Sequence, residues 1–134
     1  HPEVFDPAVN PYAVRVVITG SRPDPSAFGE FPHFISFDGF IDVEYTPEQL
    51  ERVALISEPF CRYEKWKGGP EPLPAQEKQV IEQLIAKSHK AGKPIRFWCS
   101  PDNAVAWETF RKLGIDIINT DQPEACTLYF QQNP

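Results

Sequence analysis

The chain has 134 residues, of which 41% are hydrophobic, so it is long enough for one globular domain with a buried core. Its formal net charge of -6 argues against a nucleic-acid-binding or anionic-membrane-binding surface as its main role. No apolar run approaches transmembrane length, so no transmembrane segment is predicted. We therefore interpret residues 1–134 as a single domain.

The first half of the chain predicts two strands and a short helix. Residues 14–20 are rich in β-branched side chains and end at a glycine, and the apolar segment 33–38 is likewise followed by a glycine. A helix is predicted to start at Thr46, because threonine is a good N-cap and the next residue is proline. The apolar run 53–57 is predicted to be extended. A long connection, 58–74, follows, and connections of this length are usually functional or act as lids.

The second half predicts helices and strands in alternation. The clearest helix covers 75–91, where apolar residues recur every three or four positions. The elements after it alternate between strand and helix: 94–100, 101–113, 116–120 and 123–132. Repeated βα units favour a parallel sheet with right-handed crossovers, so the predicted fold class is α/β.

The three cysteines, Cys61, Cys99 and Cys126, match no zinc-binding pattern. Their odd number excludes a set in which every cysteine is paired. Cys99 and Cys126 lie in apolar surroundings and are predicted to be small core residues. The cysteines do not assign a compartment, and a secreted or periplasmic location is compatible with the sequence.

Arg96 and Trp98 are unusual on a strand that is predicted to be buried between helices. Side chains alternate along a strand, so Ile95, Phe97 and Cys99 are predicted to share the face that meets the helices. Arg96 and Trp98 then share the opposite face. That face lies inside a barrel or at the open end of a sheet.

Several polar and aromatic residues are candidates for a binding site, and the sequence leaves two roles open for each. Arg96 can bind a phosphate bidentately or pair with a buried acid such as Asp38. Trp98 can form a wall against a substrate or belong to the core. Trp66 can line the mouth of a pocket or anchor its loop. Asp121 can ligate a metal or cap the last helix.

The candidate polar positions lie late in their strands, at the end where α/β folds build their sites. Asn119, near the end of 116–120, is predicted to approach the same region as Arg96 and Trp98. The three histidines form no Ser-His-Asp or Cys-His constellation. The sequence therefore predicts no catalytic residue within this chain. Of the two roles open to Asp121 we favour the helix cap, so no metal ligand is predicted either.

Two long motifs and several shorter ones occur in a recognisable order along the chain. They are ITGSRP at 18–23, FDG at 37–39, KPIRFWCSPD at 93–102, Trp107, and LGIDIINTD at 113–121. Together they resemble the C-terminal half of the phospholipase-C-like phosphodiesterase superfamily, which includes the glycerophosphodiester and phosphatidylinositol phosphodiesterases. The resemblance spans roughly residues 14 to 130. Cys99 and Ser100 stand where the similar sequences usually carry Ala and Thr.

The resemblance implies the second half of a (β/α)8 TIM-type barrel, with parallel strands at 14–20, 33–38, 94–100 and 116–120 as strands five to eight. Trp98 matches the aromatic residue at the pocket wall of that family. Arg96, Asn119 and Trp66 are predicted to contribute to the same substrate-binding pocket. The catalytic histidine pair and the ligands for Ca²⁺ or Mg²⁺ belong to the first half of the family's barrel and have no counterpart in this sequence.

The implied function is the C-terminal part of a metal-dependent phosphoric diester hydrolase. Its expected substrate is a phosphodiester small molecule or a lipid head group. We expect this chain alone to be inactive and to bind no divalent cation.

Four strands of an eight-stranded barrel leave two open edges. The predicted partner is therefore an N-terminal half-barrel or a second copy of the chain in a homodimer. The alternative is a non-catalytic α/β module that binds a small ligand or a protein.

Overall fold

The computed structural model describes residues 10–134. Contacts between Cα atoms divide the chain into two compact units, with the boundary between Ile56 and Ser57. We describe each unit by itself.

The first unit is built from parallel strands and two short helices. Its elements are β1 (Val16–Ile18), a 3-10 helix (Pro25–Glu30), β2 (Ile35–Gly39), α1 (Pro47–Arg52) and the first part of β3 (Val53–Pro59). Strand β1 pairs with β2 in parallel, with Val16 opposite Ile35. Strand β2 pairs with β3 in parallel, with Gly39 opposite Ile56.

Helix α1 starts where the sequence predicts it. The side chains and backbones of Thr46 and Gln49 form a reciprocal capping box, and a proline occupies the first turn. At its other end, the Arg52 guanidinium donates hydrogen bonds to the carbonyl oxygens of Phe31, Pro32 and Ile35. Arg52 therefore fixes the chain before β2 to the end of α1.

The core of the first unit is aromatic. Phe37 on β2 is fully buried, and its ring stacks on Phe28 at 4.0 Å between centroids. Phe31 meets the same ring edge-on at 5.4 Å. Stacked and edge-on aromatic contacts stabilise a core beyond simple area burial.

The second unit contains the remaining helices and strands. They are α2 (Phe60–Tyr63), α3 (Ala75–Lys90), β4 (Ile95–Trp98), α4 (Ala104–Leu113), β5 (Ile117–Ile118) and α5 (Pro123–Gln132). Strands β4 and β5 pair in parallel, with Arg96 opposite Ile117 and Phe97 opposite Ile118. The buried apolar side chains of this unit include Ile81, Ile85, Ile95, Phe97, Trp107 and Phe110.

The parallel α/β architecture predicted from the sequence is confirmed, but the predicted strands differ in number and length. Within residues 10–134 there are five strands, and the additional one is β3. The sequence predicts an extended conformation for the run 53–57 but does not assign it to the parallel sheet. The observed strands are also shorter than the ranges expected from 14–20, 94–100 and 116–120. The assignment of the predicted strands as strands five to eight of a barrel stays a prediction.

No helix among the described residues is long and apolar enough to span a membrane.

Candidate functional site

Strand β4 carries the residues around which the candidate site is built. Exposure alternates along it as predicted: Ile95 and Phe97 are buried, Arg96 is half-buried, and Trp98 is 45% exposed. The two apolar side chains pack into the core of the second unit. Arg96 and Trp98 therefore lie away from that core, at the carboxyl end of a parallel strand.

The position of Arg96 is fixed by Ser57. The guanidinium donates from Nε at 3.3 Å and from Nη2 at 2.8 Å to the hydroxyl oxygen of this buried serine. The planar guanidinium of an arginine can bind two oxygens of an anion in parallel. Within the first unit, the Asp38 carboxylate accepts hydrogen bonds from Thr19 and Arg22. The alternative pairing of Arg96 with Asp38 stays a prediction.

Asn119 follows β5 directly and is half-buried. Because Phe97 is opposite Ile118, the next residues along the two parallel strands are Trp98 and Asn119. The strand register therefore places these two predicted site residues at the same end of the pair.

Trp66 lies in the interior of the second unit. It is only 9% exposed, its indole N–H donates to the carbonyl of Glu71 at 2.7 Å, and its ring meets Phe110 edge-on. It lines a cavity of about 190 Å³, which is bounded by residues 60–67 on one side and 99–101 on the other. Trp98, Arg96 and Asn119 do not line this cavity.

The prediction that Cys99 is a core thiol is wrong. Cys99 forms a disulfide with Cys61 of α2, with 5.6 Å between their Cα atoms, and both residues are exposed. Cys99 has a φ of 56°, which ends the alternation of β4 and turns its side chain away from the face of Ile95. The sequence could not reveal this pairing, because only the fold brings α2 to the end of β4. Cys126 is buried as predicted, and this burial raises the pKa of its thiol.

Asp102 connects the loops that follow β4 and β5. Its carboxylate accepts hydrogen bonds from the Trp107 indole at 2.7 Å and from the Asp121 backbone N–H at 2.8 Å. The prediction that Asp121 caps the last helix is wrong: the N-cap of α5 is Gln122, and no side chain caps this helix. The backbone N–H of Asp121 is therefore held by Asp102, and the Asp121 side chain does not cap α5.

Glu64 is a residue that the sequence reasoning missed. It is only 4% exposed, and neither carboxyl oxygen receives a hydrogen bond from a donor in the described part of the chain. Burial raises the pKa of Glu64 to about 7, with further contributions from a hydrogen bond to Glu77 and from the negative charge of that residue. The only sequence signal was its place in the long connection, 58–74.

No group of three or more His, Cys, Asp or Glu residues within 10–134 is arranged to hold a metal ion. The residues described here do not fit the divalent-cation site that the family resemblance implies for a full barrel.

Comparison with known proteins gave no family model, no curated protein and no solved structure that matches this chain. The family resemblance therefore rests on the sequence motifs alone.

Proposed function

We propose that this chain supplies the substrate-binding wall of a phosphoric diester hydrolase of the phospholipase-C-like type. The observation that carries the proposal is the pair Arg96 and Trp98: a cation fixed by Ser57 stands beside an exposed indole at the carboxyl end of a parallel strand. In parallel α/β folds this end of the strands is where ligands bind. The motifs at 93–102 and 113–121 point to the same class of reaction.

The chemistry of these side chains suits a phosphodiester. A guanidinium binds two phosphate oxygens in parallel, and its charge is retained at all physiological pH values. The exposed face of Trp98 offers an apolar surface to the organic part of the substrate. The amide of Asn119 can donate to a phosphate oxygen or a hydroxyl group.

The family's divalent cation, when bound in a complete barrel, would neutralise charge on the phosphate. We assign no step to such a cation here, because the described residues offer no ligand set for it. This chain is proposed to bind and orient the phosphodiester, while the groups that cleave it come from a partner. That partner is an N-terminal half-barrel or a second copy of the chain.

The Cys61–Cys99 disulfide supports a location outside the reducing cytosol. Structural disulfides persist in oxidising compartments and are rare in cytosolic proteins. A secreted or periplasmic protein is therefore the proposed context.

Binding is tested by titrating glycerophosphocholine, a phosphodiester, into the labelled chain and following amide shifts by NMR. Arg96→Lys and Trp98→Ala are each expected to weaken binding at least about tenfold, because a bidentate contact or an aromatic wall is lost. Arg111→Lys is the matched control, since Arg111 pairs with Glu108 on the exposed face of α4. Equal binding by wild type and Arg96→Lys would contradict the proposal.

Catalysis is tested with bis(p-nitrophenyl) phosphate in the presence of Ca²⁺ or Mg²⁺. We expect no turnover by the isolated chain. Turnover by this chain alone would contradict the proposal that the groups that cleave the phosphodiester come from a partner. Binding without turnover, even after any upstream half-barrel is supplied, would favour the alternative of a non-catalytic ligand-binding module.

The partner is tested by size-exclusion chromatography, for which we expect a dimer of the isolated chain. A well-behaved monomer would count against the half-barrel interpretation.

A further inference from the structure

The long connection after β3 forms one side of the 190 Å³ cavity described above. We call its residues 64–67 the cavity wall. The opposite side consists of residues 99–101, at the end of β4. The connection is also packed closely at Gly68, where an added Cβ would lie 2.9 Å from the Cβ of Pro101. The cavity is partly open to solvent, since its lining residues Cys61, Lys67 and Cys99 are exposed. The wall keeps its place beside the cavity only while its backbone stays against the second unit's helices.

One carboxylate of α3 holds the backbone of the cavity wall. Oε2 of Glu77 accepts hydrogen bonds from the backbone N–H groups of Lys65, at 3.3 Å, and Trp66, at 3.2 Å. Glu77 lies in the first turn of α3, so the helix holds the backbone of the wall through this oxygen. Loss of these two bonds would free the wall from α3.

The charge on Glu64 opposes this anchor. From α3, the charged group that faces Glu64 is Glu77; from the wall, Lys67 lines the same cavity. On the opposite side lie Ser100 and Pro101, and the Cys61–Cys99 disulfide joins the two sides of the cavity; none of these groups carries a charge. A protonated Glu64 can donate its proton to Glu77, whereas two ionised carboxylates repel each other in a buried position where Glu64 has no donor.

We propose that the cavity wall is a pH-dependent cover, closed while Glu64 and Glu77 share a proton and released from α3 when both carboxylates are ionised. Release moves residues 64–67 away from residues 99–101 and widens the cavity at the end of β4, while the Cys61–Cys99 disulfide keeps its two sides linked. This inference does not depend on the proposed phosphodiester function.

The size of the effect follows from the pKa of Glu64, which is about 7 in the closed form and 4.5 for an ordinary glutamate. Because the closed form binds the proton more tightly, its advantage over the open form decreases as the pH rises from 4.5 to 7 and is constant above that range. Between pH 5 and pH 8, proton linkage gives an increase in the opening equilibrium constant on the order of 50- to 100-fold.

Hydrogen exchange at the amides of Lys65 and Trp66 measures this opening directly. After correction for intrinsic exchange rates, we expect their opening constants to increase by the stated factor between pH 5 and pH 8. Glu64→Gln should keep both amides protected at both pH values, because glutamine cannot ionise. Glu82→Gln, which removes a half-exposed carboxylate of α3, is the matched control and should keep the wild-type profile.

A second measurement tests whether the cavity itself opens. In a Trp98→Phe background, the remaining indoles are Trp66 and Trp107, both buried. Acrylamide quenching should increase between pH 5 and pH 8 and should stay low at both pH values when Glu64→Gln is added. If the glutamine variant does not fold, Glu77→Gln replaces it and should move the midpoint of the quenching profile to lower pH.

Three outcomes would overturn the proposal. The first is an opening constant that does not depend on pH in the wild-type protein. The second is a Glu64→Gln variant, or in its place a Glu77→Gln variant, with the wild-type profile. The third is pH-dependent exchange without any increase in quenching, which would show that the amides open while the cavity does not widen.

Discussion

Replacing Asp102 by asparagine tests how the two loops at the carboxyl ends of β4 and β5 are held together. In the native protein each carboxylate oxygen has its own donor: the Trp107 indole on Oδ1 and the Asp121 backbone on Oδ2. Asparagine keeps one acceptor and places an NH₂ group where the second acceptor stood. The asparagine oxygen can accept a hydrogen bond from only one of the two N–H groups. The second N–H group then faces the NH₂ group of asparagine, which is itself a donor.

The expected cost of Asp102→Asn at pH 7 is about 1.5–3 kcal/mol of unfolding free energy, the usual contribution of a hydrogen bond to a charged group. Burial acts to raise the pKa of Asp102, but hydrogen bonds from Thr120, the Asp121 backbone and Trp107 outweigh it and lower the pKa. The contribution of this carboxylate is therefore present at neutral pH and lost as the pH falls below 3.8 through the lowered value. The difference between wild type and variant should shrink in the same range.

Urea denaturation followed by tryptophan fluorescence, from pH 7 to pH 2.5, measures both parts of this prediction. Asp121→Asn is the matched control: it makes the same chemical change on an exposed side chain and should alter stability by less than about 0.5 kcal/mol. An unchanged midpoint for Asp102→Asn at pH 7 would refute the bridging role. A stability difference that persists undiminished at pH 2.5 would refute the role of the charge.

Three further changes test the packing of each unit. Phe37→Ala should lower stability by about 3–5 kcal/mol, since the ring is fully buried against Phe28; thermal unfolding by circular dichroism measures this, and a loss below about 1 kcal/mol would contradict it. Arg52→Ala removes the donors to three backbone carbonyls and should cost about 1–3 kcal/mol in the same measurement; a neutral result would show that water replaces the guanidinium. Reduction of Cys61–Cys99, which are 38 residues apart, should lower the unfolding free energy by about 4 kcal/mol, and equal urea midpoints with and without reductant would contradict the chain-entropy argument.

Local sequence signals predict where individual helices and strands start and end more reliably than they predict how many strands join the sheet. Thr46 and the following proline gave the start of α1, because capping depends on neighbours in sequence. The sequence does not predict that β3 belongs to the sheet. This strand follows α1 directly, without a turn, so no local signal separates its apolar run from the helix. Sheet membership depends on pairing with distant residues such as Phe37, which a local pattern does not specify.

The candidate site was predictable where it depends on alternation along a strand. Arg96 and Trp98 were found because polar and aromatic side chains on a buried strand conflict with the usual pattern. Glu64 could not be found in this way, since its significance comes from burial and from the approach of Glu77, a residue on another helix. The Cys61–Cys99 disulfide was missed for the same reason.

Asp116 occupies the other end of the β4–β5 pair, opposite the candidate site. One of its oxygens accepts both from the Ile95 backbone at 2.9 Å and from the His89 ring at 2.8 Å, so it joins the end of α3 to the start of both strands. Asp116 therefore stabilises the packing of α3 on the strands, whereas Trp98 is proposed to contact the ligand. In a saturation-mutagenesis screen scored separately for cellular abundance and for ligand capture, changes at Asp116 should deplete abundance, whereas changes at Trp98 should deplete capture while abundance is maintained. Sorting variants by these two scores would outline the functional face of the protein without knowledge of its natural ligand.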